Sequence, residues 1–450
     1  MKIFSEFVSV WRQDRLLQRV VKNSSYLFSS NTISMGLSVV QSIFAARLLG
    51  VSGFGLLGII TVFGSTINRL FSFRMGELTV KYLGEYLEKE EYDRARAVVK
   101  AALLIEGFSS LLAFGLLLLL SPFAALHLAD DPTTARLFML YGFMILANIT
   151  NETSVGILQI HDRFRSQAAI NLIQSVLTAL IIAIAYFTNG SLMMVLAAYL
   201  AGKIILGLGP TVLALGSLRN LLGRDWWKGS FLHMPPWKEL LRFGVTSNLS
   251  ATINLVSRDS EALWVAFFLS TVEVGYYKVA LAIINLVMMP ITPFISTTYP
   301  EISRSISAGS WQQLKNLLRR VTMISGGWTG AMAVALVLFG PFLILLYGVE
   351  YLPAYPAMLV LLVGFSIANT LFWNRPLLLS LGLPVYPFKV MLICGIFKVV
   401  LAFILVPHFG YIAEAALLSA YFAVSVGLIV RKGIKEVIRV ESLTLPGGVA

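Results

Sequence analysis

Apolar runs of about 20 residues, separated by short polar stretches, recur along the whole chain. A helix of that length rises about 30 Å, the thickness of a bilayer's hydrocarbon core, and no run shows the ten-residue alternation of an outer-membrane strand. The pattern predicts twelve transmembrane helices: Ser24 to Leu49, Phe54 to Val80, Val98 to Leu120, Leu137 to Ile160, Gln167 to Phe187, Leu192 to Leu215, Gly244 to Ser270, Val274 to Thr297, Val321 to Tyr347, Ala357 to Leu381, Pro387 to Val406 and Tyr411 to Val430. Ahead of them, Ile3, Phe7, Trp11, Leu17 and Val20 form an apolar stripe opposite Lys2, Arg12, Arg15 and Arg19. Residues 1–23 therefore read as an amphipathic helix on the membrane surface, with no small-residue cleavage site behind it.

Charge orients these spans. The N-terminus, the loops at 81–100, 161–165, 218–242, 299–320 and 382–389, and the C-terminus hold 26 Lys and Arg, while the opposite side has only Arg47, Arg136 and Lys278 at span ends. By the positive-inside rule both termini are cytoplasmic. With 57% hydrophobic and 13% charged residues and a mean hydropathy of +0.79, the chain exceeds what a soluble core can hide. The net charge of +12 reports topology, since basic residues dispersed over many loops make no nucleic-acid surface. Cys394 has no partner cysteine, and His127, His161, His233 and His408 are scattered without ligand spacing, so no metal and no cofactor is expected.

The two halves repeat at an offset of about 220 residues. Gly55 corresponds to Gly275 and Gly190 to Gly410, while the basic loop Glu91 to Lys100 matches Ser310 to Arg319. Six spans followed by six related ones make a parallel repeat about an axis along the membrane normal, with the substrate expected between the lobes. The predicted organisation is a surface helix over 1–23, a first six-helix lobe over 24–217, a cytoplasmic linker over 218–243 carrying Trp226, Trp227, Pro235, Pro236 and Trp237, a second six-helix lobe over 244–430, and a cytoplasmic tail over 431–450.

Six basic residues, Arg69, Arg74, Lys203, Arg258, Arg375 and Lys398, lie inside these spans. Each would cost about 2.5 to 3.5 kcal/mol at a membrane centre if idle, so they are expected to face water or an anionic cargo. Arg258, Arg69, Lys203 and Lys398 are central and read as the lumen; Arg74 and Arg375 lie toward the cytoplasmic ends and read as its funnel. Glu77, Glu152, Asp259 and Glu261 are candidate partners for these cations or coupling groups for an ion, H+ or Na+, and Glu77 is one turn from Arg74. In the first span Asn31, Ser34, Ser38 and Gln41 share one helical face. The seventh carries Ser247, Asn254, Arg258 and Glu261, the fifth Asn171, Gln174 and Thr178, and the fourth Asn148 and Glu152. Such stripes line a cavity or join helices. Gly53 to Gly58 spells GxGxxG with no strand before it, and the external acids Asp130 and Asp131 read as part of a helix start at Asp131-Pro132 rather than as a catalytic pair.

Several segments also resemble a known family. They are Ala46-Arg47-Leu48-Leu49-Gly50-Val51-Ser52-Gly53-Phe54-Gly55, Trp237-Lys238-Glu239-Leu240-Leu241-Arg242-Phe243-Gly244, Val274-Gly275-Tyr276-Tyr277-Lys278-Val279-Ala280, Tyr299-Pro300-Glu301-Ile302 and Tyr347-Gly348-Val349-Glu350-Tyr351. In order and spacing they are similar to the O-antigen (Wzx-type) flippases of the multidrug/oligosaccharidyl-lipid/polysaccharide exporter superfamily. The resemblance implies a MATE-like all-α fold and transfer of an undecaprenyl-diphosphate-linked glycan from the cytoplasmic to the outer leaflet of the inner membrane, without catalysis. It also implies a lipid-linked oligosaccharide and membrane lipid as partners, beside a polysaccharide polymerase and a chain-length regulator. The central guanidinium groups would replace the hydration of the diphosphate with paired hydrogen bonds. The alternatives are a multidrug/cation antiporter, against which the first span has no carboxylate, and a membrane glycosyltransferase or polymerase, against which the external loops are short.

Overall fold

Hydrocarbon offers no water to backbone N–H and C=O groups, so apolar runs of this length close their hydrogen bonds internally as helices. The computed structural model describes residues 15–230, 232, 248, 252–288 and 291–444, and every regular element among them is helical. Eight stretches among the described residues are long and apolar enough to cross a bilayer. Two far exceed one crossing, Ser25–Leu70 with 46 residues and Val385–Ser442 with 58. Each is two helices meeting at a glycine, Gly50 (φ 65°) or Gly410 (φ 69°), in left-handed backbone that a side chain would strain. Gly190, the sequence counterpart of Gly410, is not the left-handed residue of its own turn; Asn189 is, with φ 51°.

Arg15 to Lys22 continue the first span as one helix. Outside the described residues lie Ile3, Phe7 and Trp11 of the amphipathic stripe, His233, Pro235, Pro236 and Trp237 of the linker, and Ser247 of the seventh-span stripe.

Among the described residues the second, fourth and tenth predicted spans are each interrupted. The second ends as a helix at Leu70 and resumes at Met75–Glu88; the fourth is Ala135–Ala147 then Asn151–Ile160; the tenth is Ala354–Thr370 then Asn374–Ser380. Short polar side chains compete for the backbone at two of these breaks: Asn148 Nδ2 donates to Met144 O at 2.6 Å, and Asn374 Nδ2 to Leu371 O at 2.6 Å. The breaks of the fourth and tenth spans are about 220 positions apart, so the interruption belongs to the repeat.

The chain forms two compact units, Met1–Leu48 with Ile67–Pro122 and Thr134–Leu249, and Leu49–Thr66 with Phe123–Thr133 and Ser250–Ala450. The second therefore takes in the start of the second span. Close packing explains this membership, because a Cβ on Gly55 would lie 1.8 Å from Thr271 O and one on Gly275 2.4 Å from Val51 O. The two glycines that the repeat relates thus bring their helices together. The repeat is also visible among the basic loop residues. In the first unit Arg96 Nε and Nη2 donate to Leu222 O, capping the helix Leu192–Leu222, and in the second Lys315, at the matching position, lies 2.5 Å from Glu441.

Candidate functional site

The polar groups of the first unit form two systems. One joins the first span to the helix Phe164–Phe187: Asn171 Nδ2 donates to Asn31 Oδ1 at 2.9 Å, Ser34 Oγ to Asn171 O at 3.3 Å, and Gln41 Nε2 to Ser175 O at 2.9 Å. Ser38 Oγ turns back to Met35 O in its own helix. Three of the four stripe residues therefore join helices.

The second system serves the helix breaks. Glu106, only 6% exposed, accepts the backbone N–H groups of Glu152 (2.7 Å) and Thr153 (3.0 Å), the free donors at the start of Asn151–Ile160. Glu152 in turn accepts Ser72 Oγ and, at 3.0 Å, the N–H of Met75 that opens Met75–Glu88. Asn248 Nδ2 donates to the carbonyls of Leu70 and Ser72. A carboxylate at a helix start satisfies orphan donors and complements the dipole. In the second unit the groups at the break differ: Ser325 Oγ donates to the carbonyl of Thr370 at the end of Ala354–Thr370 at 2.9 Å, and Trp373 Nε1 donates to Thr322 Oγ1 at 2.7 Å.

Beside the first break is a cavity of about 490 Å³ whose polar lining is Arg74, Glu77, Lys81, Asn151, Glu152 and Gln159. Arg74 is held in left-handed backbone (φ 55°) at the start of Met75–Glu88, and its guanidinium lies 2.9 Å from Glu77, both side chains being about half exposed. Such strain in a non-glycine residue persists only where its surroundings impose it. Deeper in the same unit, Lys203 is within electrostatic reach of Arg69 and forms no ion pair among the described residues.

In the second unit, the residues Leu255–Asp259 form one π-helical turn before the helix Glu261–Phe268. Arg258 and Asp259 both emerge exposed from it, 4.0 Å apart, with the Arg258 guanidinium 5.5 Å from the centre of the Phe422 ring. Lys398 differs from the other central cations. It is 3% exposed, donates to Glu261 Oε1 and to Ser257 O at 3.3 Å, and lies 2.9 Å from Glu414 Oε1. Tyr277 donates to the second oxygen of Glu261 at 2.7 Å. Arg375 is exposed on the short helix Asn374–Ser380.

The structure thus groups Arg74 with Glu77, Arg258 with Asp259, and Lys398 with Glu261 and Glu414, while Glu152 serves backbone donors. Glu106 and Glu414 went unnoticed in the sequence, though each is a lone acid in an apolar run and the cost of a membrane charge marks acids as it marks bases. Asp131, outside the spans, accepts the hydroxyl and N–H of Thr133 at 2.6 and 2.9 Å, which hold its carboxyl below the usual range; it starts the turn Pro132–Thr134.

Residues 20–306 match the model of the polysaccharide biosynthesis protein family. The chain belongs to this family. It is 24% identical over 347 residues to "Inner membrane protein YghQ" of Escherichia coli K12, covering 77% of this chain and 97% of the relative. It is 22% identical over 405 residues to "Probable flippase AglR" of Haloferax volcanii, covering 89% of this chain and 80% of the relative. Among solved structures, an inward-facing MATE family transporter of the MOP superfamily superposes with a TM-score of 0.73 at 15% identity over 92% of this chain and 96% of that one. The lipid II flippase MurJ, inward closed, superposes at 0.67 and 14% over 92% and 90%. The fold is that of the MOP transporters, and this member of the polysaccharide biosynthesis family is a multi-pass membrane protein of the flippase and transporter class.

Proposed function

We propose that this protein translocates an undecaprenyl-diphosphate-linked oligosaccharide from the cytoplasmic to the outer leaflet of the inner membrane, for surface polysaccharide assembly. Alternating access moves the cargo, with both termini cytoplasmic and no covalent chemistry. The observation that carries this reading is Lys203, a cation inside a span of a polysaccharide biosynthesis family member that forms no ion pair among the described residues. A cation left without an acid within a membrane span favours an anion beside it. A diphosphate supplies such an anion; in the second unit the exposed Arg258 offers a planar fork of the kind that suits phosphate oxygens. Lys398, already beside two carboxylates, is assigned to the charge cluster and not to the cargo. Arg74 in the first unit and Arg375 in the second are each assigned to the cytoplasmic side. The family match and the flippase names of AglR and MurJ support the same direction. A polymerase and a chain-length regulator are the expected downstream partners.

Lys203→Ala and Arg258→Ala test the reading in cells that depend on the plasmid-borne protein, by scoring surface glycan beside protein abundance. Loss of glycan at normal abundance is expected. Normal glycan with both cations removed would contradict the anionic-cargo site.

A further inference from the structure

The charges around Lys398 do not balance. Two carboxylates, Glu261 and Glu414, face one ammonium, and the three residues are 2%, 0% and 3% exposed. With both acids ionised the cluster would hold one uncompensated negative charge inside a membrane span, an arrangement that burial strongly disfavours. The two acids are not equivalent. Glu261 is fully provided for, with the Lys398 ammonium on one oxygen and the Tyr277 hydroxyl on the other. Glu414 meets the same ammonium at 2.9 Å through Oε1, while no donor among the described residues reaches its other oxygen. Two buried carboxylates sharing one ammonium are costlier than a pair that carries one proton.

We propose that Glu261 and Glu414 hold one exchangeable proton between them when the site is closed, and that this cluster is where the transporter binds H+ as its coupling ion. The inference rests on the transport reading above. A proton from water forms an O–H bond at a carboxyl oxygen of the pair, leaving Lys398⁺ with one carboxylate as a neutral cluster. When the site opens to the other side that bond breaks and the proton returns to water, with no other bond altered. The deprotonated cluster carries a net charge and is tolerated only while hydrated, so proton occupancy and closure are linked. A metal cation is disfavoured because the ammonium already sits beside both carboxylates.

The surroundings are compatible with one acid titrating. The turn Leu255–Asp259 contributes Arg258, Asp259 and the Ser257 carbonyl; the helix Thr271–Met288 contributes Tyr277, with Lys278 directed instead to the Phe54 ring at 4.6 Å. The two helices within Val385–Thr444 contribute Cys394 and Tyr421, Ala354–Thr370 has no ionisable group beyond Tyr355 at its start, and Asn374–Ser380 has exposed Arg375.

Infrared pH-difference spectroscopy on the full-length protein in lipid vesicles, in Na+-free buffer, reads this proton without any cargo. The carbonyl band of a buried carboxylic acid is expected at neutral pH, disappearing on alkalinisation, retained in Glu414→Asp and absent from Glu414→Gln, with the amide band confirming a folded protein in each case. A wild-type protein without that band, or a band that survives Glu414→Gln, would overturn the proposal. So would loss of the band on adding Na+ at constant pH, which would mark a metal-ion site. In cells, collapsing the pH gradient should reduce surface glycan for the wild type. Glycan unaffected by that collapse would refute H+ coupling while leaving the flippase reading intact; a dispensable protein with an intact band would refute the flippase reading instead.

Discussion

Glu106 offers a quantitative test of how a broken helix is stabilised in the membrane. Its carboxylate closes the N–H groups of Glu152 and Thr153 at 2.7 and 3.0 Å, and its side chain is almost wholly buried. Glu106→Ala removes both acceptors from a site that water reaches poorly. An orphaned buried donor costs about 1–3 kcal/mol, so two cost about 2–6 kcal/mol, and the helix start loses its complementary charge as well. Glu152 is then displaced from Ser72 and Met75, which carries the disturbance into the second span. Glu106→Gln retains one acceptor oxygen and should lose roughly half as much. The assay is the temperature at which the detergent-solubilised full-length protein leaves its monodisperse peak, compared among wild type, Gln and Ala. Midpoints falling in that order are expected; an Ala variant as stable as wild type would show that the two N–H groups find other partners and that the carboxylate is not what holds the break.

Further predictions follow from packing and charge. Lys398→Met should sharply reduce folded protein, by the order of 3–5 kcal/mol typical of a buried ion left without its partner, and adding Glu261→Gln with Glu414→Gln should restore abundance. Western blots of membrane fractions read both, and an abundant single variant would contradict the buried triad. Gly275→Leu should abolish folding by forcing its helix from the Val51 carbonyl, whereas Gly84→Ala, with open space around it, should be neutral or slightly stabilising; equal abundance of the two would refute the close approach. A cysteine at Asn189 should react with an impermeant thiol reagent from outside intact cells and one at Lys228 only after lysis, and labelling of Lys228→Cys in intact cells would reverse the proposed orientation.

Hydropathy made the membrane-crossing helices legible because burial in lipid leaves a signal averaged over 20 residues. A break of three or four residues, such as Phe71 to Arg74, hardly changes that average, so the interrupted second, fourth and tenth spans were read as continuous. Their markers, Ser72, Asn148 and Asn374, were present but resemble ordinary polar stripes. The Asn31 face was visible by its spacing, and only the structure shows Asn171 and Ser175 as its partners, since those residues are supplied by another helix. The charged residues were found one by one, yet their meaning depends on pairing. Lys398 and Glu261 are 137 positions apart in the chain and within hydrogen-bonding distance in space. Glu152 has the polarity of a cation partner and instead closes a helix start.

The protein is proposed to carry a lipid-linked glycan across the bilayer by means of cations in its spans. The most direct test is the full-length protein reconstituted into vesicles loaded with undecaprenyl-diphosphate-linked oligosaccharide, following how much of the glycan becomes accessible across the membrane to an impermeant glycosidase. The account predicts rapid exposure with wild type, exposure near the protein-free rate with Lys203→Ala and Arg258→Ala, and partial recovery with Arg258→Lys. Wild-type vesicles no faster than protein-free ones, or both alanine variants as fast as wild type, would contradict it.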